Sequence, residues 1–210
     1  MSALDLAPFQ AAITLLGGGS AADLHLQLRI CWAEPHRRYH TLQHLAECLT
    51  LAHDWGAGLP ARDQAILTLA LWFHDAVYDT RAKDNEFRSA ALAETELARL
   101  GLAYDDSAHV AQLVLATEHS TPVPAGNPLI DLLLDVDLAI LGAPVPRFNE
   151  YEVQVRKEYS WVEECAYQEG RGKVMAHFRA LAAAEPSPLY RTAAGRTLLA
   201  QARANLGVPE

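Results

Sequence analysis

An all-α architecture of about nine or ten helices follows from three features of this 210-residue chain. Apolar residues recur at three- and four-residue spacing along most of its length. Capping residues, prolines and glycines punctuate those stretches at intervals suited to helices. No run of alternating apolar and polar residues with hairpin chemistry interrupts them. With neither an internal repeat nor a low-complexity linker, the chain reads as one domain over 1–210, long enough for a sizeable core.

The elements can be justified in order. Ser20 followed by Ala-Ala-Asp forms a capping box, opening a helix that runs to Glu34 and stops at Pro35. "TLQHLAECLTLAHDW" places Leu42, Leu45, Leu49 and Ala52 on one face and closes at Gly56. "RDQAILTLALWFHD" follows Pro60, and "DNEFRSAALAETELARL" starts at Asp84 as cap and ends at Gly101. "DSAHVAQLVLATEH" comes next. Then "NPLIDLLLDVDLAILG" has Asn127 as N-cap, Pro128 at the first helical position and Gly142 at its end. The charged stretch "RFNEYEVQVRKEYSWVEECAYQE" and two further helical segments complete the chain.

Composition narrows the function classes. An apolar fraction of 50% and a charged fraction of 20% describe an ordinary globular protein. A formal charge of −9 argues against nucleic-acid polymers and anionic membranes as partners, while leaving room for a small phosphorylated ligand. Cys31, Cys48 and Cys165 are odd in number and widely spaced, so they read as reduced apolar residues. "MSALDLAPFQ" has neither a basic n-region nor a long apolar core, and no run reaches the length of a membrane span. A cytoplasmic location is expected, and a homodimer is left open.

Some polar residues are out of place. "AILTLALWF" is apolar nearly all round, the mark of a central buried helix, and it runs directly into His74 and Asp75. A carboxylate buried without a partner costs several kcal/mol, so Asp75 must be paired, protonated or bound to a cation. Asp135 and Asp137, inside "LIDLLLDVDLAIL", face the same requirement. His40 and His44 are spaced to share a helix face, with Cβ atoms roughly 6 Å apart. Taken singly, His74-Asp75 also suits a helix-end polar pair, and Asp137 a partner for arginine. Together, three separated helices deliver His or Asp from apolar settings. Imidazole plus carboxylate suits a divalent metal ion, with Mn, Fe, Co, Ni, Zn and Mg all open.

The ordered pattern His … His-Asp … Asp on successive helices resembles the HD superfamily of metal-dependent phosphohydrolases. The resemblance runs from Arg37 to about Asn205. It implies an HD-type domain whose metal-site core spans about 36–142, with C-terminal helices 146–206 packing on it. Position by position, it implies His44, His74, Asp75 and Asp137 as metal ligands. "DVDLAIL" is similar to the "ADLS" setting of the last aspartate in cyclic-nucleotide phosphodiesterases, which favours Asp137 over Asp135. "YHTLQHL" is similar to their "YHNxxHA" element, with Thr41 where that motif has Asn. This implies His40 as general acid. "HDAVYDT" resembles the "HDxxEDT" of alarmone hydrolases, with Asp79 on their aspartate and Tyr78 replacing its acidic neighbour. Asp79 is then a candidate for orienting the water or a ligand histidine. Glu118 and His119, in "LATEHS", are candidates for a second metal or for supporting the first ligands.

The implied activity is hydrolysis of a phosphate ester, a mono- or diester of a nucleotide or similar small molecule. A divalent metal ion would activate water while His40 protonates the leaving oxygen. Arg38, Arg81, Lys83, Arg156 and Lys173 are candidates to receive phosphate oxygens, although each also suits a solvated surface. Two other readings remain: a di-iron HD-type oxygenase, which needs six or more ligands, and a nucleotide-binding regulatory module without turnover.

Overall fold

A computed structural model describes residues 2–118 and 124–209, and within them the chain is all-helical. It divides into two compact units, 1–133 and 134–210. Among the described residues no helix is long and apolar enough to cross a membrane.

In the first unit the helices are α1 (Leu6–Leu15), α2 (Ala22–Trp32), α3 (Leu42–Trp55), α4 (Ala61–Phe73), α5 (Asn85–Arg99) and α6 (Tyr104–Leu115). The all-round apolar sequence of α4 has the expected consequence. Eight of its thirteen residues are buried, from Ala65 to Phe73, and α1, α3, α5 and α6 all pack against it. Burying each large aliphatic or aromatic side chain contributes roughly 1.5–3 kcal/mol, so α4 is the organising element of this unit. It can hold the residues that follow it in place.

Helix boundaries follow the local signals in most cases. Thr41 caps α3, its hydroxyl accepting the Gln43 amide at 3.3 Å. Gly101 takes φ +91° after α5, and the Leu102 amide reaches back to Leu97 O at 3.1 Å. Three expectations need correction. The cap of α2 is Ala21 rather than Ser20, because Gln10 Oε1 on α1 accepts the Ala21 amide at 2.8 Å. The helix also ends at Trp32, short of Glu34. Asp84 does stand at the N-cap of α5, but its carboxylate faces Arg88 at 4.0 Å instead of a helix amide.

The boundary between the units falls within α7 (Pro128–Asp137). Asn127 caps it, accepting from the amides of Leu129 and Ile130 at 3.1 and 3.4 Å. The chain then tightens into a 3-10 helix over Leu138–Gly142 instead of continuing as α-helix to Gly142.

The second unit adds α8 (Val145–Glu158), α9 (Glu164–Ala183), α10 (Ala193–Arg196) and α11 (Leu199–Leu206). Here long side chains stitch helices to carbonyls. Asn205 donates to Leu141 O and Ala143 O at 2.9 and 2.8 Å, and the Tyr190 hydroxyl donates to Leu138 O at 3.0 Å. Burial pushes the Tyr190 phenol well above its ordinary value, so it stays a donor at any physiological pH.

Candidate metal centre

The site begins where α4 ends. Its apolar run keeps the helix buried up to Phe73, and His74 follows as C-cap with only 1% of its surface exposed. His74 Nδ1 lies 2.7 Å from Leu71 O, one turn back on the same helix. A ring nitrogen at that distance from a carbonyl must carry the hydrogen, which assigns the neutral imidazole its proton at Nδ1 and its lone pair at Nε2. The lone pair points at two groups. His44 Nε2 is 3.3 Å away, and Asp75 Oδ2 is also 3.3 Å away.

His44 reaches this point from the first turn of α3. Its side chain is buried at 2% exposure, and Cys48, one turn on, places Sγ 3.6 Å from its Nδ1. The donor atoms of His44, His74 and Asp75 all lie within 4.8 Å of one another, a spacing that could hold a metal ion. Trp32 closes one side, with its ring 5.2 Å from that of His74 and 6.3 Å from that of His44. Its indole N–H donates to Trp72 O at 3.0 Å, so the apolar face is locked against the ligands.

The donor set fits a divalent cation. Two imidazoles and a carboxylate with donor atoms this close can share one cation among them. Using Nδ1–H of His74 to bind a carbonyl is also how metal-ligating histidines are commonly oriented.

His40 is not on the α3 face with His44. The helix starts at Leu42 and Thr41 is extended at φ −122°, ψ 179°, which places His40 in the preceding turn. Its ring nevertheless comes to 5.9 Å from that of His44 and stacks on Tyr78 at 4.2 Å. Tyr39 packs edge-on against it at 4.8 Å. Three aromatic side chains, Trp32, Tyr39 and Tyr78, and three imidazoles thus share one neighbourhood, which explains the density of apolar sequence around these titratable groups.

Most of the other candidates lie on the surface. Asp79 is exposed, and its Oδ1 accepts the Arg81 amide at 2.9 Å, shaping its own loop. Arg38, Arg81 and Lys83 are exposed, and Arg38 donates to Pro35 O and Arg37 O at 2.5 and 2.7 Å. Glu118 is exposed, while His119 lies outside the described residues. In the second unit, Arg156 pairs with Glu164 at 2.9 Å, donates to Tyr159 O and Val162 O, and lies over the Tyr167 ring. Lys173 pairs with Glu169 at 2.6 Å, one turn back on α9. Asp137 ends α7 half-buried, and Tyr151, whose phenol burial pushes up, is among the groups that sense its charge.

Sequence reasoning passed over Arg37. It is buried at 2% exposure behind the His74-Asp75 turn, while its neighbour Arg38 is on the surface. Two adjacent arginines are indistinguishable by composition, and neither periodicity nor capping separates them in a segment without helix. The cysteines are free thiols, as expected, and burial raises the Cys31 thiol, which keeps it protonated.

Fold and site together define an all-α protein with a buried His/Asp cluster able to hold a metal ion. Comparison with protein-family models, with curated proteins and with solved structures finds no match for this chain.

Proposed function

We propose that the chain is an HD-type metal-dependent phosphohydrolase acting on a phosphate ester of a nucleotide or a similar small molecule. The observation that carries this reading is the convergence on His74 Nε2, where His44 Nε2 and Asp75 Oδ2 each lie at 3.3 Å. Asp137 is the fourth ligand on the sequence pattern. Asp135 is spoken for elsewhere, its carboxylate accepting the amides of Arg191 and Thr192. A divalent cation held there supplies the Lewis acidity that phosphate-ester hydrolysis needs near neutral pH.

The chain's own residues do the rest. Leu71 O holds the Nδ1 proton of His74 and so turns its Nε2 toward the site, where His44 Nε2 lies beside it. His40, clamped between Tyr39 and Tyr78, serves as proton donor to the leaving oxygen. Arg38, Arg81 and Lys83 are exposed cations of the same unit and are offered to phosphate oxygens. Asp79 contributes through the loop that carries Arg81.

The test uses protein purified without a histidine tag. Metal content, then turnover on mono- and diester panels with added Mn, Co and Ni, should show a bound divalent ion and hydrolysis that chelation abolishes. His44→Ala and Asp137→Ala should lose the metal. His40→Ala should keep it while turnover falls by about 10²–10⁴-fold, less on p-nitrophenyl esters, whose leaving group hardly needs a proton. A protein that binds no divalent metal, or a His40→Ala loss equal on every leaving group, sinks the reading.

A further inference from the structure

We propose that Arg37 is a positioning residue of this centre, a clasp that couples the metal-ligand turn to the segment carrying His40. The inference rests on the proposed function, since it requires a cation at the His44, His74 and Asp75 site.

The guanidinium joins two stretches of chain that are nearly forty residues apart in sequence. Nη1 donates to Asp75 O at 2.7 Å and to His40 O at 3.3 Å. Nη2 donates to Ala76 O at 3.1 Å. The outer edge meets one carboxylate, with Nε 3.0 Å and Nη2 2.9 Å from Glu34 Oε2. One nitrogen therefore touches the backbone of a proposed metal ligand and of the proposed proton donor. The guanidinium carbon also lies over two rings, Trp32 at 5.5 Å and Tyr78 at 5.3 Å. Trp32 packs on His74, and Tyr78 stacks on His40.

Burying a cation is expensive, and the Arg37 side chain is wholly buried while Glu34 is 41% exposed. A surface pair would hold a loop at lower cost. The buried arrangement does what a surface pair cannot: a planar fork serves carbonyls on both segments at once. Lysine offers a single point charge and cannot span them. If a cation draws Asp75 into register, Nη1 transmits that register to His40, so the donor is set relative to the ligands by one rigid group.

The experiment compares wild type with Arg37→Lys, using Co(II) alone as probe. Three readouts are followed: the visible Co(II) spectrum, amide hydrogen exchange, and steady-state kinetics on an alkyl phosphate and p-nitrophenyl phosphate. We expect an unchanged spectrum and Co(II) affinity within about threefold, because no ligand is altered. In wild type, Co(II) should slow exchange in both segments 38–43 and 74–77; in Arg37→Lys only 74–77 should respond. The kcat on the alkyl ester should fall at least about tenfold with KM within about twofold, and p-nitrophenyl phosphate should lose less. Glu34→Ala, which loosens only the outer edge, should reproduce the pattern in weaker form.

Co(II) protection of 38–43 that survives in Arg37→Lys overturns the clasp. So does loss of Co(II) in step with stability, which would make Arg37 a structural residue. An insoluble Arg37→Lys together with an unaltered Glu34→Ala has the same meaning. Wild type that binds no Co(II) overturns the metal reading and the clasp together. Wild type that shows the coupled protection but hydrolyses no ester overturns the phosphohydrolase reading and supports the clasp.

Discussion

Asp135 and Asp75 are both carboxylates inserted into apolar helical sequence, and the structure resolves them in opposite ways. Asp135 is wholly buried and surrounded by donors. The Arg191 amide lies 2.8 Å from Oδ1, and the Thr192 amide and hydroxyl each lie 2.7 Å from Oδ2. The Thr192 hydroxyl in turn accepts the Gly195 amide at 3.0 Å, so one carboxylate fixes the cap of α10. Asp75 instead faces an imidazole lone pair that also faces a second imidazole. Protein donors make a carboxylate structural. Converging ring nitrogens leave one able to hold a cation.

The largest expected effect breaks the structural half of the contrast. Asp135→Ala leaves two backbone amides and a hydroxyl without their acceptor, which should cost about 3–5 kcal/mol in denaturant unfolding. The variant that remains folded should bind divalent metal as wild type does. Metal loss in Asp135→Ala at unchanged stability would reverse the two roles.

The cation half comes next. Divalent metal at about 100 times its dissociation constant should raise stability by about 2.7 kcal/mol, read as an upward shift of Tm that chelation removes. In His44→Ala the shift should vanish. A Tm indifferent to metal in wild type would leave Asp75 as a helix-end polar group.

Gly195 offers a smaller, geometric test. A Cβ there would collide with the Asp135 carboxylate. Gly195→Ala should destabilise by about 1–3 kcal/mol through the same cluster, and should cost little in an Asp135→Ala background. Additive losses in the double variant would separate the two residues.

The smallest effect concerns His25, a buried histidine of the first unit outside the cluster. His25 packs on Phe9 and Trp72, and its Nε2 lies 3.0 Å from Leu4 O. Burial lowers its pKa below 6.5, outweighing the Leu4 contact; Arg29 lowers it further, and Asp5 opposes. The folded state therefore binds the proton less readily than the unfolded chain. Its contribution is present above about pH 6.5 and is lost as pH falls from there through the folded pKa. His25→Gln should flatten that decline in Tm between about pH 7 and 5. An unchanged acid slope would exclude His25 as its source.

Much of this was legible in the chain itself. The all-round apolar character of Ala65–Phe73 marks a helix buried on every side, because no other placement keeps that surface from water. Asn127 and Pro128 announce the start of α7 by chemistry confined to neighbouring residues. His44, His74 and Asp75 stand out because ionisable groups do not enter such settings without compensation. The interruption at Ser20, the short α2 and the place of His40 outside α3 were not legible. Each depends on a partner far along the chain, such as Gln10 for the Ala21 amide, or on a local competition that periodicity does not record. Asp135 and Arg37 show the same limit most clearly. One is two residues from the sequence-favoured ligand Asp137 and the other stands beside Arg38. Their roles come from amides at 191–192 and carbonyls at 75–76. Sequence determines which groups need a partner; only tertiary structure decides which partner arrives, because that depends on distance in space rather than along the chain.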